Sequence, residues 1–283
     1  MIRDFSSVLL FFFALAGCAS GPKPASPPAR ETKPIVIGEQ WTVNSAALGD
    51  EREINVWLPP SYARTETRYP VVYLIDGALD QDFHHIAGLA QYGALSGAFA
   101  ETIVVGVETK DRRAELAWRS TDPAENRDFP TNGNSGAFRR FLVDEVKPLV
   151  EKTYRASGED ALMGESLAGL FIVETFLKHP NAADGYIAIS PSLWWDYGSL
   201  GKQSRAILDD FPKGEREIYL AIADEGGAMR EGVLDVVSAL KKEKPKGVAW
   251  TFSDRRDLNH ATIYHREALE AFIWVYPRTE EPN

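Results

Sequence analysis

Short apolar runs separated by turn-forming residues recur along most of this chain and predict a series of β-strands. The first two runs partly alternate apolar and polar residues, which is typical of a hairpin at the edge of a sheet. Several later runs are continuously apolar, as expected for strands covered by helices on both faces. The predicted strands are residues 41–48, 53–58, 70–76, 102–107, 161–164, 186–190, 217–223 and 248–252.

Stretches with apolar residues at helical spacing lie between these runs, and we predict helices over residues 135–154, 167–178, 231–242 and 264–275. Strands that alternate with helices predict a mostly parallel sheet with right-handed crossovers. Two antiparallel opening strands followed by parallel ones indicate a sheet of about eight strands, the α/β-hydrolase arrangement. We therefore predict an α/β fold in a single domain over residues 35–283, with helices on both faces of the sheet.

Composition and charge indicate a globular protein and argue against one class of function, nucleic-acid binding. The chain has 283 residues, of which 44% are hydrophobic and 25% charged, as in an ordinary soluble globular protein. Its formal net charge is −10 and its pI is about 5.1, which argues against binding to nucleic-acid backbones, since those require clustered basic residues.

The N-terminal residues resemble an export signal. A charged start, an apolar run over residues 8–16 and small residues before Cys18 are typical of a signal peptide over residues 1–17. Cys18 is the only cysteine and closes a pattern similar to the bacterial lipobox, so we expect it to carry a lipid, although an ordinary signal with an incidental cysteine is the alternative. Residues 18–34, rich in Pro and Ala, predict a flexible tether. The expected location is the periplasm or cell surface, with membrane contact only through this anchor.

The candidate nucleophile is Ser166. It stands between a short apolar strand and an apolar helix, with Gly164 and Ala168 two residues away on each side. Such small neighbours are needed where a tight strand-to-helix turn exposes a serine hydroxyl. Because Gly, Ser and Ala are common, the G-x-S-x-A pattern alone is weak.

A serine nucleophile needs a base and a group that orients the base, and α/β-hydrolases place them in the chain order Ser, acid, His. His260 follows the last predicted strand, in a turn-rich stretch, and is the candidate base, whereas His265 lies within the last predicted helix. Asp224 and Glu225 follow the strand at 217–223 and are both candidate acids. Adjacent residues of an extended segment point in opposite directions, so at most one of them should reach His260. The alternative is that both are solvated loop charges and that a serine–histidine pair suffices.

Backbone N–H groups must stabilise the oxyanion of an acyl-transfer reaction. Leu167, directly after the nucleophile, should supply one N–H, and either Gly77 or Ala78, after the third strand, should supply the other. For Gly77 and Ala78 the alternative is simply a tight turn.

Other residues at strand ends are candidates for substrate contact. Trp194 and Trp195 follow the sixth strand and would form an aromatic wall, unless they pack in the core. Arg112, Arg113 and Arg119 follow the fourth strand and would either hold an anionic group or be solvated.

Several of these segments together resemble the esterase D and enterochelin-esterase-like family of α/β-hydrolases. The similarity covers most of residues 45–278. The segments that carry it are PVVYLIDG at 70–77, VVGV at 104–107 with the arginines at 112–113, residues 138–154, GESLAGLF at 164–171, SPSLWW at 190–195, and Asn259-His260.

The resemblance implies a carboxylic-ester hydrolase with Ser166 as nucleophile and His260 as base. It favours Glu225 slightly over Asp224 as the acid, because Gly and Met follow that position in the family. Ala168 departs from the Gly that is usual there. The implied substrate is a small or medium ester, and no metal or cofactor is expected. An acyltransferase and a non-catalytic surface binding protein remain alternatives, and the oligomeric state stays open.

Overall fold

Eight strands form one sheet in the order β1-β2-β4-β3-β5-β6-β7-β8 in this computed structural model, which describes residues 31–278. β1 pairs with β2 and β2 with β4 in antiparallel fashion, and every other neighbouring pair is parallel. The strands are β1 Glu39–Asn44, β2 Glu51–Trp57, β3 Tyr69–Ile75, β4 Ile103–Val107, β5 Ala156–Glu165, β6 Gly185–Ile189, β7 Arg216–Ala223 and β8 Val248–Arg255. The predicted α/β-hydrolase fold is therefore confirmed, and each predicted run coincides with one strand.

Helices cover both faces of the sheet. They are α1 Phe83–Ser96, α2 Arg112–Glu115, α3 Pro123–Asp128, α4 Ser135–Arg140, α5 Lys147–Thr153, α6 Leu167–Lys178, α7 Trp195–Asp209, α8 Gly227–Glu243 and α9 His260–Val275. A π-helical turn, Phe141–Val146, joins α4 to α5, so the stretch predicted as one helix over residues 135–154 has three segments. The short helices α2 and α3 and the longer α1 and α7 were not predicted.

The core consists of two apolar layers, one on each side of the sheet. On one side, α1 and α9 pack against the strands through residues such as Phe83 and Phe272. On the other side lie α4 to α8, with Phe138, Phe171 and Val236 among the buried residues. All residues of β4 and β6 are buried, which explains why these strands have no polar alternation.

Parallel pairing from β5 to β8 brings the carboxyl ends of these strands to one edge. Glu165 at the end of β5 is in register with Ile189, and Ala223 at the end of β7 with Arg255 at the end of β8. Residues that follow these strands are therefore neighbours, and ligands of open α/β sheets bind at this edge.

The signal peptide predicted at residues 1–17, Cys18 and most of the tether predicted at 18–34 lie outside the described residues. Residues from Ile37 onward form one compact unit. No helix within residues 31–278 combines the length and apolar character needed to cross a bilayer.

Candidate active site

Ser166 lies in a strained turn between β5 and α6. Its φ is +60° and its ψ is −117°, a backbone conformation that few residues other than glycine adopt and that costs about 1–3 kcal/mol. Strain of this kind is typical of functional sites, and here it places the Ser166 side chain at the edge of the sheet. The turn also demands small neighbours, because a Cβ at Gly164 would lie 2.5 Å from the Cβ of Ala168.

Backbone hydrogen bonds to the segment after β6 fix this turn. The Ser166 N–H donates to the Ile189 carbonyl at 3.1 Å, and the Ser192 N–H donates to the Ser166 carbonyl at 3.0 Å. A Cβ at Gly169 would come within 2.9 Å of Pro191, so the first turn of α6 and the 190–192 segment are in close contact. These contacts hold the strand-to-helix turn at Ser166, the nucleophile elbow, on both sides and stabilise it against the local backbone strain.

His260 and Glu225 form a hydrogen-bonded pair beside the serine. His260 is the first residue of α9 rather than a loop residue, because Asn259 caps the helix and starts it earlier than predicted. Its Nδ1 is hydrogen-bonded to Glu225 Oε1, and the Glu225 side chain is only 7% exposed. This hydrogen bond raises the pKa of His260 above its ordinary value, against the opposing effect of burial. Glu225 therefore orients the ring and stabilises its protonated form.

Asp224, the other candidate acid, points away from His260. Its carboxylate lies 3.3 Å from Arg256, and its side chain is 60% exposed. Of the two acids left open by the sequence, the structure places Glu225 against the histidine, as expected for adjacent residues that project in opposite directions.

Ser166 and His260 line one cavity of about 320 Å³. The other lining residues are Asp76, Gln81, Asp82, Arg112 and Glu165. The Ser166 hydroxyl lies 3.3 Å from the Ser192 hydroxyl. None of the hydrogen bonds found within residues 31–278 joins Ser166 Oγ to His260. Catalytic hydrogen bonds often form only when substrate binds.

The two predicted sources of the second oxyanion N–H differ in the structure. The Gly77 N–H donates to the Val107 carbonyl at 2.9 Å, so Gly77 is not a free donor and this prediction is wrong. The Ala78 N–H donates to Gln81 Oε1 at 3.0 Å, a side-chain acceptor that can move aside. Leu167 is the first residue of α6, where an N–H has no partner within the helix. Leu167 and Ala78 thus remain the candidate donors.

Gly77 has a structural function instead. A Cβ at this position would lie 2.3 Å from the Cα of Gly106 and 2.5 Å from the Val107 nitrogen. These are backbone atoms of β4 that cannot move aside. Glycine at residue 77 therefore allows the loop after β3 to pass directly beside β4.

The tryptophans do not line this cavity. Trp195 is 1% exposed and donates its Nε1–H to the Trp118 carbonyl at 3.1 Å, so it is a core residue and the aromatic-wall prediction is wrong for it. Trp194 is partly buried and packs near Phe129, with ring centroids 6.2 Å apart. Trp194 is not among the residues that line the cavity around Ser166.

Of the three arginines after β4, Arg112 alone is part of the cavity. Its Nε and one terminal nitrogen both approach Asp76 Oδ2, at 2.8 Å and 2.7 Å. Arg113 lies over the Phe129 ring at 4.6 Å, and Arg119 donates to backbone carbonyls at 3.2 Å and 3.3 Å. The last two arginines support loops rather than a ligand.

Sequence reasoning missed the acidic residues of the cavity. Asp76 comes directly after β3, Asp82 comes directly before α1, and Glu165 is both the last residue of β5 and the middle residue of the G-x-S motif. The position of Asp76 and Glu165 at strand ends was the available signal. Burial raises the pKa of Glu165 to about 7, and burial together with Asp76 raises that of Asp82 to about 6.

Comparisons with known protein families and proteins show what this chain is similar to. A family model described as "Putative esterase" matches residues 45–266. The ferri-bacillibactin esterase BesA of Bacillus subtilis is 28% identical over 181 residues, which are 58% of this chain. The match spans 62% of the length of BesA.

Solved structures show the same architecture. An IroE-like serine hydrolase from Shewanella oneidensis is 25% identical with a TM-score of 0.75, over 84% of this chain and 80% of that one. The BES protein from Bacillus cereus has a TM-score of 0.76 at 22% identity, over 89% of this chain and 99% of the other, and shows the fold. The resemblance inferred from the sequence is therefore confirmed: the chain belongs to the esterase family of α/β-hydrolases.

Proposed function

We propose that this chain is a serine carboxylic-ester hydrolase that acts on small or medium esters through an acyl-enzyme. One observation carries the proposal: Ser166 on the strained turn after β5 shares a cavity with His260, whose ring is held by the buried carboxylate of Glu225. Nucleophile, orienting acid and base in this chain order constitute the machinery of acyl transfer.

In the proposed mechanism, Nε2 of His260 takes the proton of Ser166 as Oγ attacks the ester carbonyl carbon. The N–H groups of Leu167 and Ala78 then stabilise the oxyanion, once Gln81 has released Ala78. His260 protonates the departing alcohol as the carbon–oxygen bond breaks. A water molecule, deprotonated by His260, releases the acid and restores Ser166.

The test uses hydrolysis of a short-chain nitrophenyl ester together with labelling by a fluorophosphonate probe. Both should be lost in Ser166→Ala and should fall by orders of magnitude in His260→Ala, while both variants stay folded by circular dichroism. Ser96→Ala, at an exposed position of α1, is the matched control and should retain full activity. Unlabelled wild-type protein would instead indicate a non-catalytic binding protein.

The substrate class follows from a panel of esters, which should include ferri-bacillibactin because the Bacillus subtilis relative is named for it. Added alcohols distinguish hydrolysis from transfer. A hydrolase releases free acid as the main product, whereas an acyltransferase would yield mainly the new ester.

We also propose that the chain is exported and anchored through a lipid on Cys18. The charged start, the apolar run and the small residues before Cys18 support this proposal. Metabolic labelling with a radioactive fatty acid tests it. Wild-type protein should incorporate the label and Cys18→Ser should not, and label retained in the variant would refute lipidation at this residue.

A further inference from the structure

Ser192 contacts the nucleophile at two points. Its N–H donates to the Ser166 carbonyl at 3.0 Å, and its hydroxyl lies 3.3 Å from the Ser166 hydroxyl, where either oxygen can be the donor. Ser192 follows β6, within the SPSLWW segment, and is 2% exposed. Buried hydroxyls normally have a hydrogen-bond partner, and within residues 31–278 the Ser192 hydroxyl has none besides the Ser166 hydroxyl. The contact with the nucleophile therefore satisfies a buried polar group.

One torsion angle of Ser166 sets where its hydroxyl lies. The backbone is held on both sides, by the hydrogen bond from the Ser166 N–H to the Ile189 carbonyl and by that from the Ser192 N–H to the Ser166 carbonyl. With the backbone held, Oγ can move only by rotation about χ1, which has three staggered wells. In this structure χ1 places Oγ 3.3 Å from Ser192 Oγ, at the distance of a long and weak hydrogen bond.

The ring of His260 is also held. Its Nδ1 is hydrogen-bonded to the buried Glu225 carboxylate, and Asn259 caps the helix that His260 begins. In the neutral ring the proton therefore lies on Nδ1, and Nε2 is the acceptor that the serine must reach. No hydrogen bond in the described part of the chain joins Ser166 Oγ to His260, so contact with Ser192 and contact with His260 require different positions of Oγ.

We propose that Ser192 is a positioning residue that holds the Ser166 hydroxyl away from His260 in the resting enzyme. Ester hydrolysis then begins with rotation of Oγ from Ser192 to Nε2 of His260, and proton transfer follows. This inference rests on the proposed esterase activity. It adds a step before acylation and leaves the roles of Ser166, His260 and Glu225 as they are.

The test measures the second-order rate constant of fluorophosphonate labelling and kcat/KM for a short-chain nitrophenyl ester. Both should rise about two- to fivefold in Ser192→Ala, because the resting hydrogen bond is lost. A neutral hydrogen bond of ordinary length corresponds to at most about tenfold, and this one is longer. The factor should be the same for both reagents, since the bond is broken before either reacts. A change in cavity shape would alter the two rates by different factors.

The pH profile is a second readout, which a purely structural role of Ser192 would not move. In Ser192→Ala the Ser166 hydroxyl is free to donate to Nε2 of His260, and this hydrogen bond favours the neutral ring. The acid limb of the pH profile of kcat/KM should therefore move to lower pH.

Ser190→Ala is the matched control. Ser190 lies in the same segment and is 0% exposed, and its hydroxyl has no hydrogen-bond partner among residues 31–278. Removal of this hydroxyl breaks no contact with Ser166, so the rates and the pH profile should equal those of the wild type.

Circular dichroism shows whether Ser192→Ala is folded, as expected for the loss of one oxygen atom. Unchanged rates in the folded variant would overturn the inference, because the contact would then restrain nothing. Slower rates would overturn it as well, by indicating that Ser192 holds Ser166 in the reactive position. Failure of the esterase proposal is a different result: the wild type itself would neither hydrolyse the ester nor be labelled.

Discussion

Replacement of Gly164 by alanine should destabilise the elbow through a single steric contact. The new Cβ would lie 2.5 Å from the Cβ of Ala168, and its other nearest atoms are 3.4 Å away. Non-bonded carbon atoms prefer about 3.5–4.0 Å, so the overlap is about 1 Å or more. Both residues are buried, one in β5 and the other in α6, and the strand and helix must separate to relieve it. Overpacking of this kind costs about 1–3 kcal/mol.

The structure also predicts that a second substitution, at residue 168, restores the stability lost in Gly164→Ala. In Gly164→Ala combined with Ala168→Gly, the 2.5 Å contact is gone and the remaining 3.4 Å contacts are ordinary. Ala168→Gly alone should cost up to about 1 kcal/mol through helix propensity. The double variant should therefore be more stable than the sum of the two single changes by about 1–3 kcal/mol.

Urea unfolding of the wild type, the two single variants and the double variant measures this coupling. The rate of fluorophosphonate labelling reports whether Ser166 still reacts in each of them. Gly88→Ala is the control, because its Cβ would have no atom within 4 Å and lies in α1. It should stabilise the protein by about 0.5–1 kcal/mol. If the two changes at the elbow prove additive within about 0.5 kcal/mol, the steric explanation is wrong.

Three further predictions concern the site and its support. In Glu225→Gln, kcat should fall about 10³-fold or more. The acid limb of the pH profile of kcat/KM should also move to lower pH, because Glu225 no longer raises the pKa of His260 and the ring therefore stays neutral to lower pH. Asp224→Asn should leave that profile in place, and a shift there instead would reverse the assignment of the acid. Gly77→Ala should destabilise the protein by about 1–3 kcal/mol or more in urea unfolding, since its Cβ meets the β4 backbone at 2.3 Å, and a neutral effect would refute this. Arg52→Met should lower the free energy of unfolding by about 3–5 kcal/mol, because the buried Glu115, 2.7 Å from Arg52, would lose its positive partner. The control Arg68→Met, at an exposed position, should lower it by less than about 0.5 kcal/mol in the same urea titration.

The sequence predicted the strands better than the helices, for physical reasons. Buried parallel strands are nearly continuous apolar runs, and β4 and β6 show this pattern plainly. Helix α1 contains Gly88 and Gly93, which weaken helix propensity. Helix α7 begins at Trp195, and its next two residues, Asp196 and Tyr197, have positive φ, which no apolar periodicity indicates.

At the site, too, the sequence predicted some features and not others. Chain order and strand ends were enough to bring Ser166 and His260 together, because pairing of parallel strands makes their ends neighbours. The choice between Asp224 and Glu225 requires side-chain direction, which two adjacent acids in a loop do not reveal. The engaged N–H of Gly77 depends on a hydrogen bond to Val107, thirty residues later in the chain, as the structure shows. Long-range contacts of this kind have no local signal.

The position of β3 between β4 and β5 has a consequence for folding. Residues up to Val107 supply β1 to β4, yet β3 keeps an open edge until β5, which begins at Ala156, 81 residues after Ile75 at the end of β3. That pairing closes a long loop and is the slow kind of step in chain folding. The nucleophile arrives with β5, the acid after β7 and the base last, on α9. A chain released before α9 therefore has Ser166 without His260, so the proposed ester hydrolysis can begin only when nearly all of the domain has been synthesised.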